Sequence, residues 1–148
     1  MAIILKRSLG EGNAFIDDLH GESNLYAVLK ALCGSLSEPL SAYQAVVATG
    51  ILASMVVDKD GQVLDTLSID LAVCGTAGQT DVQVRVNGVA KATLTITNAE
   101  ADGIFKVSTT PINLALAKGD VVDINVSAAP TGGTGLSATA RLRPVTVE

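Results

Sequence analysis

Tryptophan is absent from this chain, histidine occurs once, and the aromatic residues are Phe15, Tyr26, Tyr43 and Phe105. With so few rings, the core must be built from Val, Leu, Ile and Ala. His20 has no second histidine to support it, so a Ser-His-Asp or Cys-His device would need residues brought from afar. Cys33 and Cys74 have no metal-ligand spacing, and two thiols make no disulfide framework; both read as inert, buried or half-buried side chains. Cations are few and the net charge is −5, which argues against a nucleic-acid surface. No apolar run approaches the length that spans a bilayer, so no membrane partner is expected. The start Ala2–Leu5 is too short for a signal-peptide core, and Lys6 and Arg7 follow it rather than precede it. The chain is therefore expected to be made in the cytoplasm.

Motifs that resemble chemistry fail on their spacing. Asp58-Lys59-Asp60-Gly61 begins like a calcium loop, but its fifth position is Gln62, its glycine comes too early, and its twelfth position is Ile69. It reads as a hairpin turn. Gly75-Thr76-Ala77-Gly78 and Gly132-Gly133-Thr134-Gly135 lack the Lys-Ser/Thr and the helix of a phosphate loop. Asn125-Val126-Ser127 matches a glycosylation acceptor, yet it lies within a strand, and Asn125 and Ser127 read as that strand's polar face. No carboxylate pair stands out as acid and base. The chain reads as a non-enzyme without cofactor or metal.

What the sequence does hold is alternation. Across 148 residues, 48% are apolar, enough for one domain with a real core and for further burial against copies of the same chain. The organising stretch is Thr80–Ala128. Val82 and Val84 alternate with Asp81, Gln83 and Arg85, the period of a half-buried strand. Asn87-Gly88 then marks a hairpin. A two-residue loop would set Val84 opposite Lys91, an apolar residue against a cation. A three-residue loop, Val86-Asn87-Gly88, sets Val84 opposite Ala90 and Val82 opposite Ala92, and is the expectation.

Eight strands are expected, roughly 45–57, 63–74, 80–86, 89–97, 103–109, 111–117, 121–128 and 136–147. Eight short strands with turns between them indicate a mainly β fold, a jelly-roll-like β-sandwich. Residues 45–148 would form it, and residues 1–44 an arm, a short helix and a connector. The helix spans Ser23–Cys33: Leu25, Val28, Leu29 and Leu32 share one face, Ser23 caps it and Gly34 stops it. The strand 46–57 is apolar on both faces, so Val47, Ile51, Met55 and Val57 are the candidate interface of a homotrimer.

The pattern Val-Asn-Gly-Val-x-x-Ala-Thr-Leu at residues 86–94 is followed by Leu-x-x-Gly-Asp-Val-Val-x-Ile-x-Val at 116–126. Gly-x-x-Gly-Leu-x-Ala-x-Ala-x-Leu follows at 132–142. Together these resemble small β-sandwich domains of tailed-phage virion proteins: head fibres, capsid decoration (cement) proteins and fibre heads, many of them trimeric. The likeness covers about residues 46–147. It implies a structural protein on the outer capsid surface of a virion, a homotrimer whose partner is the major capsid protein. A fibre head would more often carry a long coiled shaft, and one helix of three turns supplies no sustained heptads. The second reading is a receptor- or carbohydrate-binding module of a phage fibre. Sugar sites in sandwiches lean on exposed rings, and here Tyr26 is assigned to the helix, Tyr43 to the connector, and only Phe105 to the sandwich.

Ile3, Ile4, Leu5, Phe15, Ile16 and Leu19 lie among glycines in the arm. Burying each yields roughly 1.5–3 kcal/mol, whereas ordering the backbone costs about 1–2 kcal/mol per residue. The sums are comparable, so these six residues are expected to bind the shell where a partner adds hydrogen bonds or where three copies add avidity. Deleting residues 2–22 is expected to leave the sandwich folded by circular dichroism and to abolish co-sedimentation with capsid shells.

Overall fold

The computed structural model describes residues 38–145. Nine strands follow one another: β1 (Glu38–Val46), β2 (Gly50–Val56), β3 (Gln62–Val73), β4 (Gln79–Val86), β5 (Val89–Thr97), β6 (Ile104–Val107), β7 (Leu114–Leu116), β8 (Val121–Ala128) and β9 (Thr134–Pro144). All pairings are antiparallel and give two sheets. The first has the order β1-β9-β3-β6, with β7 also on β3; the second has the order β2-β8-β4-β5. β7 pairs with Gln62–Leu64 and β6 with Ser68–Leu71, so the two short strands share one edge of β3. Among the described residues there is no helix. The helix expected at Ser23–Cys33, and the arm before it, lie outside the described residues.

The core follows from the alternation. Leu67, Ile69 and Leu71 of β3 and Leu136, Ala138, Ala140 and Leu142 of β9 line the inner face of the first sheet. Val82, Val84 and Val86 of β4 and Val122, Ile124 and Val126 of β8 oppose them from the second, making a β-sandwich filled with aliphatic side chains. Each inward residue is followed by an outward Ser, Thr, Asp, Asn, Gln or Arg through most of these strands, which is why they pair in one register only.

The single strand expected over 45–57 is two strands. The chain leaves the first sheet at Val46, turns through residues 47–49 and enters the second at Gly50. Val46–Val57 looks apolar on both faces because its halves belong to different sheets and turn different faces inward. Residues 38–44, expected as connector, are most of β1, which pairs with β9 from Glu38↔Leu142 to Val46↔Thr134.

The hairpin between β4 and β5 also departs from expectation. Val86 pairs with Val89 across a two-residue turn in which Asn87 (φ 51) and Gly88 (φ 79) are both left-handed, the geometry that matches strand twist. The feared pairing of Val84 with Lys91 is still avoided. Arg85 pairs with Ala90, the register then shifts, and Val84 meets Ala92. A bulge ejects Lys91 to solvent, where the expectation had lengthened the loop.

Lys106 faces inward on edge strand β6, opposite the buried Ile69. Its Nζ crosses to the second sheet, donating to the Thr95 carbonyl at 2.6 Å and pairing with Glu100 at 2.6 Å. An inward charge on an edge strand discourages pairing with another chain. Gly135 (φ 69) lies against Ala72, where a Cβ would stand 2.6 Å from the alanine Cβ, so β9 and β3 require glycine there.

One polar core group is unmatched. Thr80 is 0% exposed and its hydroxyl has no hydrogen-bond partner among the described residues. Replacing a buried, unpaired hydroxyl by a methyl group removes a desolvation cost. Thr80→Val is expected to raise the melting temperature, by up to about 1 kcal/mol of stability. Leu71→Ala, in contrast, is expected to lower it, through a loss of about 2–5 kcal/mol of stability. Thermal melts followed by circular dichroism check both.

Candidate functional site

Both ends of the sandwich are tied down by hydrogen bonds that consume the groups a ligand would use. At one end, the turn at Asn87 docks on the turn before β8. Asn87 Nδ2 donates to Asp120 Oδ1 at 2.9 Å, and the Val121 N–H donates to Asn87 Oδ1 at 2.9 Å. Asp120 Oδ2 accepts the Ala117 N–H at 2.8 Å, and Asp60 Oδ1 accepts the Lys118 N–H at 2.8 Å. Asp60 and Asp120 therefore act as turn caps. Among the described residues no group of three or more His, Cys, Asp or Glu is placed to hold a metal.

At the other end, the two glycine-rich turns are zipped together. The Thr76 N–H donates to the Thr131 carbonyl at 2.8 Å and the Thr131 N–H to the Ala77 carbonyl at 2.8 Å. Cys74 is buried; its N–H donates to Asp102 Oδ1 at 2.8 Å and its thiol to the Ala101 carbonyl at 3.4 Å. Burial pushes the thiol pKa up, and the nearby Asp102 and Glu100 carboxylates push the same way. Such a thiol stays protonated and unreactive. Cys33 and His20 lie outside the described residues.

The candidate site is instead a surface, the outer face of the second sheet along edge strand β2. Ile51 points outward, in register with Asn125, and Val56 outward beside Val121. Ile51 is 59% and Val56 60% exposed. Among the described residues, β2 pairs with β8 on one side only. Exposed apolar side chains on an open strand edge are the features of a protein-contact surface. Beside them Arg85 Nε meets Asp123 Oδ1 at 2.6 Å, a cross-strand pair set by the register Arg85↔Asp123. The arginine covers the aspartate, which is only 4% exposed although it faces outward.

Of the four residues expected at a trimer interface, the structure brings one, Ile51, to this surface. Ile51 is exposed on it, and Met55 is half-buried against the core on the inner side of the same strand. Val47 and Val57 are 6% and 1% exposed and belong to the chain's own core. Val56 and Val121 were missed. The register shift between Ile51 and Ala53 is what turns Val56 to the same face as Ile51, beside Val121, and no local pattern announces it. The arm residues Ile3, Ile4, Leu5, Phe15, Ile16 and Leu19 lie outside the described residues.

No protein-family model and no curated protein matches the chain. Among solved structures, dimeric latent PorU from Porphyromonas gingivalis aligns at 13% identity with a TM-score of 0.40, over 73% of this chain and 13% of that one. At that score the likeness carries no argument about function.

The Asp120 clamp gives a pH test. The Asn87 amide, then the Ala117 N–H, hold the Asp120 carboxyl below its ordinary 3.8. A carboxylate whose pKa is depressed by folding adds stability above its unfolded pKa, and that stability is lost as pH falls through the folded pKa. Asp120→Asn turns one acceptor into a donor, and its melting temperature is expected to fall below wild type at pH 7. The gap is expected to narrow as pH drops below 3.8. Paired melts across that range measure it.

Proposed function

We propose that this chain is a tailed-phage structural protein, a homotrimeric capsid decoration protein that binds and stabilises the outside of the assembled shell. The observation that carries the reading is the strand order. Taken together as one interrupted edge strand, β6 and β7 make each sheet four-stranded, with the orders β1-β9-β3-β6/β7 and β2-β8-β4-β5. We read that order as the winding of a jelly roll, an architecture of viral capsid domains. It supports the resemblance carried by the Val86–Leu94, Leu116–Val126 and Gly132–Leu142 patterns.

Ile51, Val56 and Val121 form the trimer contact in this reading, and the arm residues supply the contact with the major capsid protein. The end loops spend their carboxylates and amides on their own turns, which favours a structural over a catalytic role. A β-sandwich with an exposed apolar strip is a form suited to contacts between copies on a shell.

Light scattering on a sizing column tests the assembly. A particle of three times 15.1 kDa is expected, and Ile51→Asp or Val56→Asp is expected to give monomers that keep their β circular dichroism. Val57→Asp is expected to unfold the chain, since that side chain is core. A monomeric wild type would sink the trimer.

A further inference from the structure

The outer face of the first sheet, on the opposite side of the sandwich, carries a second site. Pairing places Tyr43 of β1 beside Ser137 of β9, Ser137 beside Asp70 of β3, and Asp70 beside Phe105 of β6. All four point away from the core, because their strand neighbours Leu136, Ala138, Ile69 and Leu71 are buried. One straight row therefore begins and ends with an aromatic ring. Tyr43 is 69% and Phe105 65% exposed, although the chain has so few rings to spend.

Between the rings the surface is low. On one side of the row lie Gly135 and Ala72, packed so closely that a side chain at Gly135 would clash. On the other side lie Ser41, Thr139 and Ser68, again in register. Ser41 Oγ and Thr139 Oγ1 are 3.0 Å apart, and Ser68 Oγ donates to the Thr139 carbonyl at 3.4 Å. The Asp70 carboxylate and the Ser137 hydroxyl have no such partner among the described residues. The result is a shallow trough with a hydroxyl- and carboxylate-bearing floor and a ring standing at each rim.

We propose that this trough binds a neutral oligosaccharide, with a sugar ring against Tyr43, another against Phe105, and hydroxyls of the sugar between them bonded to Asp70 and Ser137. Three strand intervals separate the rings by about 14 Å, the length of about three sugar units. A pyranose offers what each part of the row accepts: an apolar C–H face for the rings and donor hydroxyls for the carboxylate. Asp70 selects against acidic sugars by like charge and desolvation. An apolar partner strand is disfavoured, since it would cover the carboxylate without satisfying it. The site stands apart from the Ile51–Val56 surface and does not rest on the trimer.

Affinity electrophoresis of the full chain tests it, in native gels containing soluble β-glucan, galactomannan or dextran, with polygalacturonate as the acidic control. Retardation by at least one neutral polysaccharide and none by polygalacturonate is expected. Tyr43→Ala and Phe105→Ala are each expected to weaken binding about tenfold, Phe105→Tyr to retain it, and Thr93→Ala on the other sheet to leave it unchanged. Both rings are exposed, so circular dichroism is expected to match wild type. A wild type that runs unretarded in all three neutral gels overturns the proposal, as does a Tyr43→Ala/Phe105→Ala double variant retarded as strongly as wild type. A change of mass in light scattering on removing either ring would also overturn it, by showing that a second copy of the chain occupies the trough.

Discussion

The pairing of β3 with β9 is the constraint on which the rest of the structure depends. These are the two longest strands, of 12 and 11 residues. Leu67↔Ala140, Ile69↔Ala138 and Leu71↔Leu136 put large residues opposite small ones or each other on the inner face. A slip of β3 by one residue would turn Leu67, Ile69 and Leu71 out and bring Ser68 and Asp70 in. Such a slip would bury an aspartate without a partner, at a cost comparable to a domain's whole stability margin. The three remaining strands of the first sheet, β1, β6 and β7, hang on that register, as do the two rings at its edges.

The second sheet depends on β4 and β8 in the same way, with one added device. Arg85 and Asp123 meet across the strands on the outer face, half shielded from water. Removing either partner alone would leave the other charge poorly hydrated, so the pair fixes register more than it adds stability. At the ends, turns that look like ligand loops in the sequence are locked to each other. At each end, loops bind loops.

The central strands were legible in the sequence because alternation is a local signal. Val89–Thr97 and Val121–Ala128 fall where the pattern puts them, and β3 and β4 within a residue. The misreadings were non-local. Nothing between Ala45 and Val57 states that the chain changes sheets at Ala48–Thr49, and a two-sided apolar run is what two one-sided strands look like when joined. The hairpin went astray for a related reason: Lys91 truly cannot face Val84, but a bulge and a longer loop solve that conflict equally well on paper. Strands β6 and β7 came out shorter than their patterns because β3 offers them pairing only at Ser68–Leu71 and Gln62–Leu64. Tyr43 shows the cost of a misplaced boundary. Assigned to a connector it has no surface, whereas on β1 it stands in line with Phe105.

The pairing of Glu38 with Leu142 has a consequence for how the chain is made. A ribosome delivers β1, β2, β3 and β4 long before their main partners. β1 waits for β9, β2 for β8, and β3 and β4 can complete only their outer pairings, with β6, β7 and β5. The β4–β5 hairpin is the one pair of adjacent strands that can close as it emerges, which gives its two-residue turn a kinetic role besides a structural one. Apart from the pairings of β3 with β6 and β7, the rest is held open until β8 and β9 emerge. Nascent Val and Leu faces therefore stay uncovered through most of translation, the condition in which exposed apolar surface and unpaired strands are prone to aggregate.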